Sequence, residues 1–223
     1  MLTRHNDRLW SFAIPFKFMG LLAFGTRMTV VRLTSGELWI HSPVPIDADL
    51  KQAIDDLGPV RWIVAPNYFH HLFVGDAVSA WPDAEVVAVP KLRKKRKDLK
   101  IHHDLVGGHQ PWGDELLGIA LDGAIQQEVD FFDQPSRTLI CSDLMQNMLT
   151  VDDWFTRAYL KWSEIYGKPG LSKAVRLGFR DKPAARGSVD AMLEQDFDAA
   201  IMCHGEPITR DAKDALRQSY EWL

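Results

Sequence analysis

The chain has 223 residues, a formal net charge of -4 and a pI near 6.0, with 46% hydrophobic and 25% charged residues. That size suits one large domain or two small ones, and the acidic balance argues against a general nucleic-acid binder. Cys141 and Cys203 are the only cysteines, too few for a disulfide framework, which points to free thiols in a reducing, cytoplasmic compartment.

The first stretch, Leu9 to Ile14, alternates apolar with small or polar residues and predicts a strand. The apolar stretch from Phe12 to Phe24 is broken by Pro15, Lys17 and Gly20 and is shorter than the roughly 20 residues that a membrane span needs. It therefore reads as a strand and loop packed on the core, and no membrane partner is expected. Arg27 to Leu33 and Leu38 to His41, joined by Thr34-Ser35-Gly36-Glu37, read as a hairpin. Asp47 caps a helix running to about Leu57, with Leu50, Ile54 and Leu57 on one face and Gly58-Pro59 as its stop. Val60 to Val64 predicts a buried strand, Leu72 to Trp81 a helix, and Glu85 to Val89 another buried strand. Strand, helix, strand in this order is an α/β layered pattern.

Lys91-Leu92-Arg93-Lys94-Lys95-Arg96-Lys97 is a basic run. A phosphate contact and a solvated helix face both fit it; with no wider basic surface to join, the solvated face is the expectation, and no nucleic-acid partner is expected. Ile101-His102-His103-Asp104 has metal-ligating residue types, but adjacent residues point in different directions and the segment lies in a Gly-rich, exposed-looking region. Leu116 to Leu121, Glu128 to Phe132 and Thr138 to Ser142 predict a meander of strands. The remainder reads as helices from Asp152 to about Tyr166, Leu171 to Phe179 and Ser188 to about Gln195. A short strand, Ala199 to Cys203, follows, and Thr209 then caps a closing helix through Tyr220.

Several of these strands end in a group able to bind a cation. Pro66 stops the strand that ends at Val64, so His70 and His71 fall on the loop beyond its carboxyl end. Asp143 follows the strand ending at Ser142, and His204 follows the strand ending at Cys203. Loops at the carboxyl ends of strands are where open α/β sheets bind ligands. If one core holds these strands, His70, His71, Asp143 and His204 gather at one rim, where imidazole and carboxylate suit zinc, iron or manganese.

The order of these elements resembles the metallo-β-lactamase-like superfamily. Ala65-Pro66-Asn67, His70-His71-Leu72, Ser136-Arg137-Thr138-Leu139 and Asp143 resemble, more narrowly, a DUF4336-like subfamily of unknown function with a degenerate metal-binding motif. The resemblance implies an α/β fold, a four-layer αββα sandwich, as a single domain over residues 1–223. It also shows where this chain departs from the superfamily. The signature loop His-x-His-x-Asp-His aligns on Pro66, Tyr68, His70 and His71, and Leu121-Asp122-Gly123-Ala124 has no histidine where one is usual. His41-Ser42-Pro43 replaces the usual Asp-x-Gly element. The resemblance thus implies at most one transition metal, held by His70, His71, Asp143 and His204, with His71 the more secure of the adjacent pair.

Two functions stay open at this point. One is a single-metal hydrolase of an ester, lactone or thioester, its small-molecule substrate unidentified. The other is a non-catalytic binding or interaction module that has lost the two-metal site. The eight tryptophans are consistent with a homodimer.

Overall fold

A computed structural model describes residues 1–223. The chain opens with β1 (Thr3–Arg4) and β2 (Leu9–Ile14), followed by a small hairpin of β3 (Lys17–Phe18) and β4 (Leu22–Ala23). Next come β5 (Thr26–Arg32) and β6 (Leu38–His41), which pair antiparallel. Then α1 (Ala48–Asp55), β7 (Val60–Ala65), α2 (Val74–Ala80), β8 (Glu85–Ala88), α3 (Leu92–Lys95) and β9 (His103–Asp104) alternate. The later elements are β10 (Leu116–Leu121), β11 (Glu128–Asp133), β12 (Thr138–Ile140), β13 (Gln146–Asn147) and α4 (Trp154–Trp162). They continue with β14 (Pro169–Gly170), α5 (Lys173–Arg176), α6 (Lys182–Glu194), β15 (Ala199–Ile201) and α7 (Ala212–Ser219). No helix is long and apolar enough to cross a membrane.

These elements form two compact units, one of residues Met1–Ala13 and Arg27–Val106, the other of Ile14–Thr26 and Gly107–Leu223. The first unit is built on a sheet of order β1-β2-β5-β6-β7-β8-β9, in which β6 to β9 run parallel. Parallel strands need crossovers, and the segments carrying α1, α2 and α3 supply them. Their sequences read as near-continuous apolar runs because both faces are covered; Trp39, Ile40, Ile63, Val64, Val86 and Val87 are all buried. Asp47 caps α1 by accepting from the Leu50 N–H at 2.8 Å, and Leu50 and Ile54 form the buried stripe. Gly58 is required after it: its φ is 151° and a Cβ would lie 2.6 Å from the Gly36 carbonyl oxygen.

The second unit is built on a sheet of order β10-β11-β12-β15. β10 to β12 form an antiparallel meander, and β15 returns parallel to β12. Leu139, Val189, Met192, Ala200, Leu216 and Tyr220 belong to the core between this sheet and its helices. α6 begins earlier than the expected Ser188, because Asp181 caps it by accepting from the Ala184 N–H and Pro183 occupies the first turn. Proline is tolerated there, since that N–H has no partner inside the helix. α4 stops at Trp162, before the expected Tyr166, where Glu164 turns left-handed at φ 63°. The closing helix is not capped by Thr209. It starts after Asp211, which adopts φ 57° and makes no side-chain cap.

Candidate functional site

In the first unit, Asn67 organises the loop beyond β7. It is fully buried, and its Oδ1 accepts from the N–H groups of Phe69 and His70, each at 2.8 Å. This local side-chain turn bends the chain so that adjacent His70 and His71 diverge. His70 Nδ1 shares a 2.7 Å hydrogen bond with Ser42 Oγ. A hydroxyl serves as either donor or acceptor, so when Nδ1–H donates to it, Nε2 keeps its lone pair. Ser42 itself sits at φ 51° just after β6, a left-handed conformation unusual for a non-glycine residue.

His71 turns to a different partner. Arg96 Nη1 donates to its Nδ1 at 3.1 Å and to its carbonyl oxygen at 2.5 Å. Because Nδ1 accepts, a neutral ring carries its hydrogen on Nε2 and has no free lone pair. Burial, then the charges of Lys95 and Arg96, lowers the His71 pKa to about 4. The ring is neutral, but it is engaged as a hydrogen-bond partner of the guanidinium. Arg96 is anchored in turn by Asp98 at 2.7 Å, and that pairing holds the Asp98 carboxyl down to about 2.

The basic run is therefore more than a solvated face. Lys91, Lys94 and Lys97 are exposed as expected. Lys95 lies 3.9 Å from the centre of the Tyr68 ring and donates to the Tyr68 carbonyl oxygen at 3.0 Å. Lys95 and Arg96 together clamp the histidine loop. The nearby His102 and His103 have different partners, as expected of adjacent residues. His102 Nδ1 accepts from the Val86 N–H at 2.9 Å, and His103 Nε2 pairs with Glu85.

In the second unit, β15 delivers His204, which is 7% exposed. Its Nδ1 lies 2.8 Å from the Gly25 carbonyl oxygen, and its Nε2 lies 3.3 Å from Asp143 Oδ1. A carbonyl oxygen only accepts, so Nδ1 carries a hydrogen. The neutral ring then presents a lone pair at Nε2 to a carboxylate oxygen. Two acceptors at that separation repel unless a positive charge, a proton or a metal cation, lies at the nitrogen. Backbone-carbonyl anchoring of Nδ1 is also the usual way a protein orients a metal-binding imidazole. Gly205 follows at φ 84°, where a Cβ would meet the Asn147 carbonyl oxygen at 2.1 Å. That close approach lets the His204 carbonyl accept from the Asn147 N–H at 3.1 Å.

Of the expected site residues, Asp143 and His204 are thus brought together, while His70 and His71 share one loop but not one direction. The sequence marks Glu128 and Asp130 as strand residues, and both are buried beside the Asp143 turn. Glu128 accepts from the N–H groups of Ser142, Asp143 and Leu144. The legible signal was a pair of acids two apart in an otherwise apolar strand, which places both on one face. His41 stands where the superfamily's Asp-x-Gly element is usual. It is fully buried, stacked on Trp39 at 5.5 Å, and its pKa falls to about 3 through burial and the charge of His70.

Comparison with known proteins adds the following. The family model described as "Domain of unknown function (DUF4336)" matches residues 6–153. No curated protein matches the chain. Among solved structures, a metallo-β-lactamase from Pontibacter korlensis is 10% identical, with a TM-score of 0.68 over 100% of this chain and 99% of its own. The DIM-1 metallo-β-lactamase is 13% identical, with a TM-score of 0.69 over 100% of this chain and 97% of its own. The same enzyme exposed to ceftazidime gives 12% identity and a TM-score of 0.68, covering 100% and 96%. At such identities the likeness shows the fold alone, and the expected α/β, metallo-β-lactamase-like fold is the one found.

Proposed function

The chain belongs to the family described as Domain of unknown function (DUF4336), and on that premise we propose that it is a single-metal hydrolase in which Asp143 and His204 hold the ion. The pair offers an imidazole nitrogen and a carboxylate oxygen, a donor mixture suited to zinc, iron or manganese. The observation that carries the reading is the His204 ring, pinned through Nδ1 to the Gly25 carbonyl with Nε2 facing Asp143. A cation at that nitrogen removes the repulsion between the two acceptors.

When bound with one position open, zinc would supply a Lewis acid and lower the pKa of its water to about 7. The protein's own groups supply orientation. The Gly25 carbonyl selects the His204 tautomer. His71 stays out of the proposed ligand set because Arg96 occupies its Nδ1. The substrate class that such chemistry serves is an acyl compound: an ester, lactone or thioester.

A second reading is favoured by the residues Pro66 and Tyr68, where the superfamily motif has imidazoles, and by the fact that a proton on His204 also satisfies the pair with Asp143. In that reading the fold is a non-catalytic binding module. Metal analysis of protein purified without chelator or added metal separates the two. The hydrolase reading expects a stoichiometric transition metal that is lost in His204→Ala and Asp143→Asn. Metal-free protein whose melting temperature ignores added zinc and manganese supports the module.

A further inference from the structure

β11 carries Glu128 and Asp130 on one face, 1% and 0% exposed. A single Glu128 oxygen, Oε1, accepts from the Ser142 N–H at 2.9 Å, the Ser142 hydroxyl at 2.7 Å, the Asp143 N–H at 2.7 Å and the Leu144 N–H at 3.0 Å. These donors belong to the turn from which the Asp143 side chain reaches His204. We propose that Glu128 is the positioning residue of the Asp143–His204 pair: its carboxylate gathers the turn beyond β12 and thereby sets the direction of the Asp143 side chain.

Two features support the assignment. Three backbone N–H groups and a hydroxyl converge on one Glu128 oxygen, so a single side chain can hold a turn that no strand pairing holds. Finally, the Tyr220 hydroxyl donates to the Leu144 carbonyl at 2.8 Å, so the turn is gripped through its N–H groups on one side and a carbonyl on the other. The turn is thus fixed before any ion arrives, and only the metal-affinity arm of the test rests on the proposed hydrolase reading.

The test uses the full chain, amide NMR and zinc titration. In wild type, the Asp143 and Leu144 amides are expected downfield and protected from exchange although they lie outside the strands. Glu128→Gln should move the Ser142, Asp143 and Leu144 amides upfield, speed their exchange, and weaken zinc binding by about 10- to 100-fold, as loss of an outer-shell partner does. Val129→Ala, which trims a core side chain on the opposite face of the same strand, should lower stability while leaving those amides and the zinc affinity within about 2-fold, since it cuts only packing. Unchanged amides and affinity in Glu128→Gln overturn the proposal, as does a Val129→Ala variant that reproduces both effects. If Glu128→Gln does not fold, unprotected Asp143 and Leu144 amides in wild type overturn it and protected ones support it. If wild type takes up no zinc, the hydrolase reading fails by itself and the amide arm alone decides the positioning role.

Discussion

His41 and His71 are buried and neutral, with pKa values lowered to about 3 and about 4. In the unfolded chain both would titrate near about 6.5. Their folded pKa values lie below that, so the unfolded state binds more protons as the pH falls. The stability they contribute is complete above about pH 6.5 and declines as the pH drops toward 4, with each ring adding a slope of about 1.4 kcal/mol per pH unit. Urea unfolding at stepped pH checks this, and His71→Asn should remove roughly one ring's share of the slope. A flat profile between pH 6.5 and 4.5 would sink the prediction. The same pair shows where residue-level reading stops. Placing His70 and His71 beyond a strand needed only Pro66 and the apolar run before it. Choosing between them needed Arg96, twenty-five positions on, whose guanidinium takes the Nδ1 of His71. Likewise nothing in the sequence joins Gly25 to His204, yet that one carbonyl fixes which ring nitrogen faces Asp143.

The buried strands β5 to β8 and the meander β10 to β12 were legible because β-branched and apolar runs bounded by Gly, Pro and Ser signal strands directly. The short hairpin β3–β4 was not. Its residues are exposed or half-buried, and what holds it is the second unit: the Ala23 N–H donates to Thr156 Oγ1 at 2.8 Å, and Phe24 packs near Tyr159 and His204. Glycines give a sharp test at this scale. Gly205→Ala places a methyl 2.1 Å from the Asn147 carbonyl oxygen at a left-handed φ, so unfolding free energy should drop by more than about 1 kcal/mol. Because the strain adjoins His204, zinc affinity should fall with it. Gly187→Ala lies in the exposed interior of α6 with open space around it, and should raise stability by about 0.5–1 kcal/mol. Denaturant midpoints of the two variants moving in the same direction would contradict the local packing described for these positions.

At the scale of the molecule, the two strand-end clusters reside in different units, each organised by its own polar network: Asn67, Ser42 and Arg96 in one, Glu128 and Gly25 in the other. The α/β layering was legible from the order of elements, since hairpin, parallel crossovers and a second meander leave few arrangements, whereas the four-layer αββα sandwich followed from the resemblance to the metallo-β-lactamase-like superfamily. The candidate ligands were legible only as a list of strand ends, because their partners are set by long-range hydrogen bonds. A whole-chain consequence of the metal reading is mass action. Zinc that binds only the folded chain, present at 100 times its Kd, should stabilise it by about 2.7 kcal/mol. The thermal midpoint of wild type should therefore rise with zinc, and that of His204→Ala should not.

The second unit takes Ile14–Thr26 from near the beginning of the chain and everything else from Gly107 onward. During translation the hairpin leaves the ribosome roughly eighty residues ahead of its partners, several seconds at typical elongation speeds of about 5–20 residues per second. Phe24 and Leu22, which in the native state pack with Met148, Val151, Leu160 and Ile165, wait through that interval with no core to join. Nascent chains stalled before Gly107 should accordingly recruit holding chaperones through this segment, and release them once the C-terminal half has emerged.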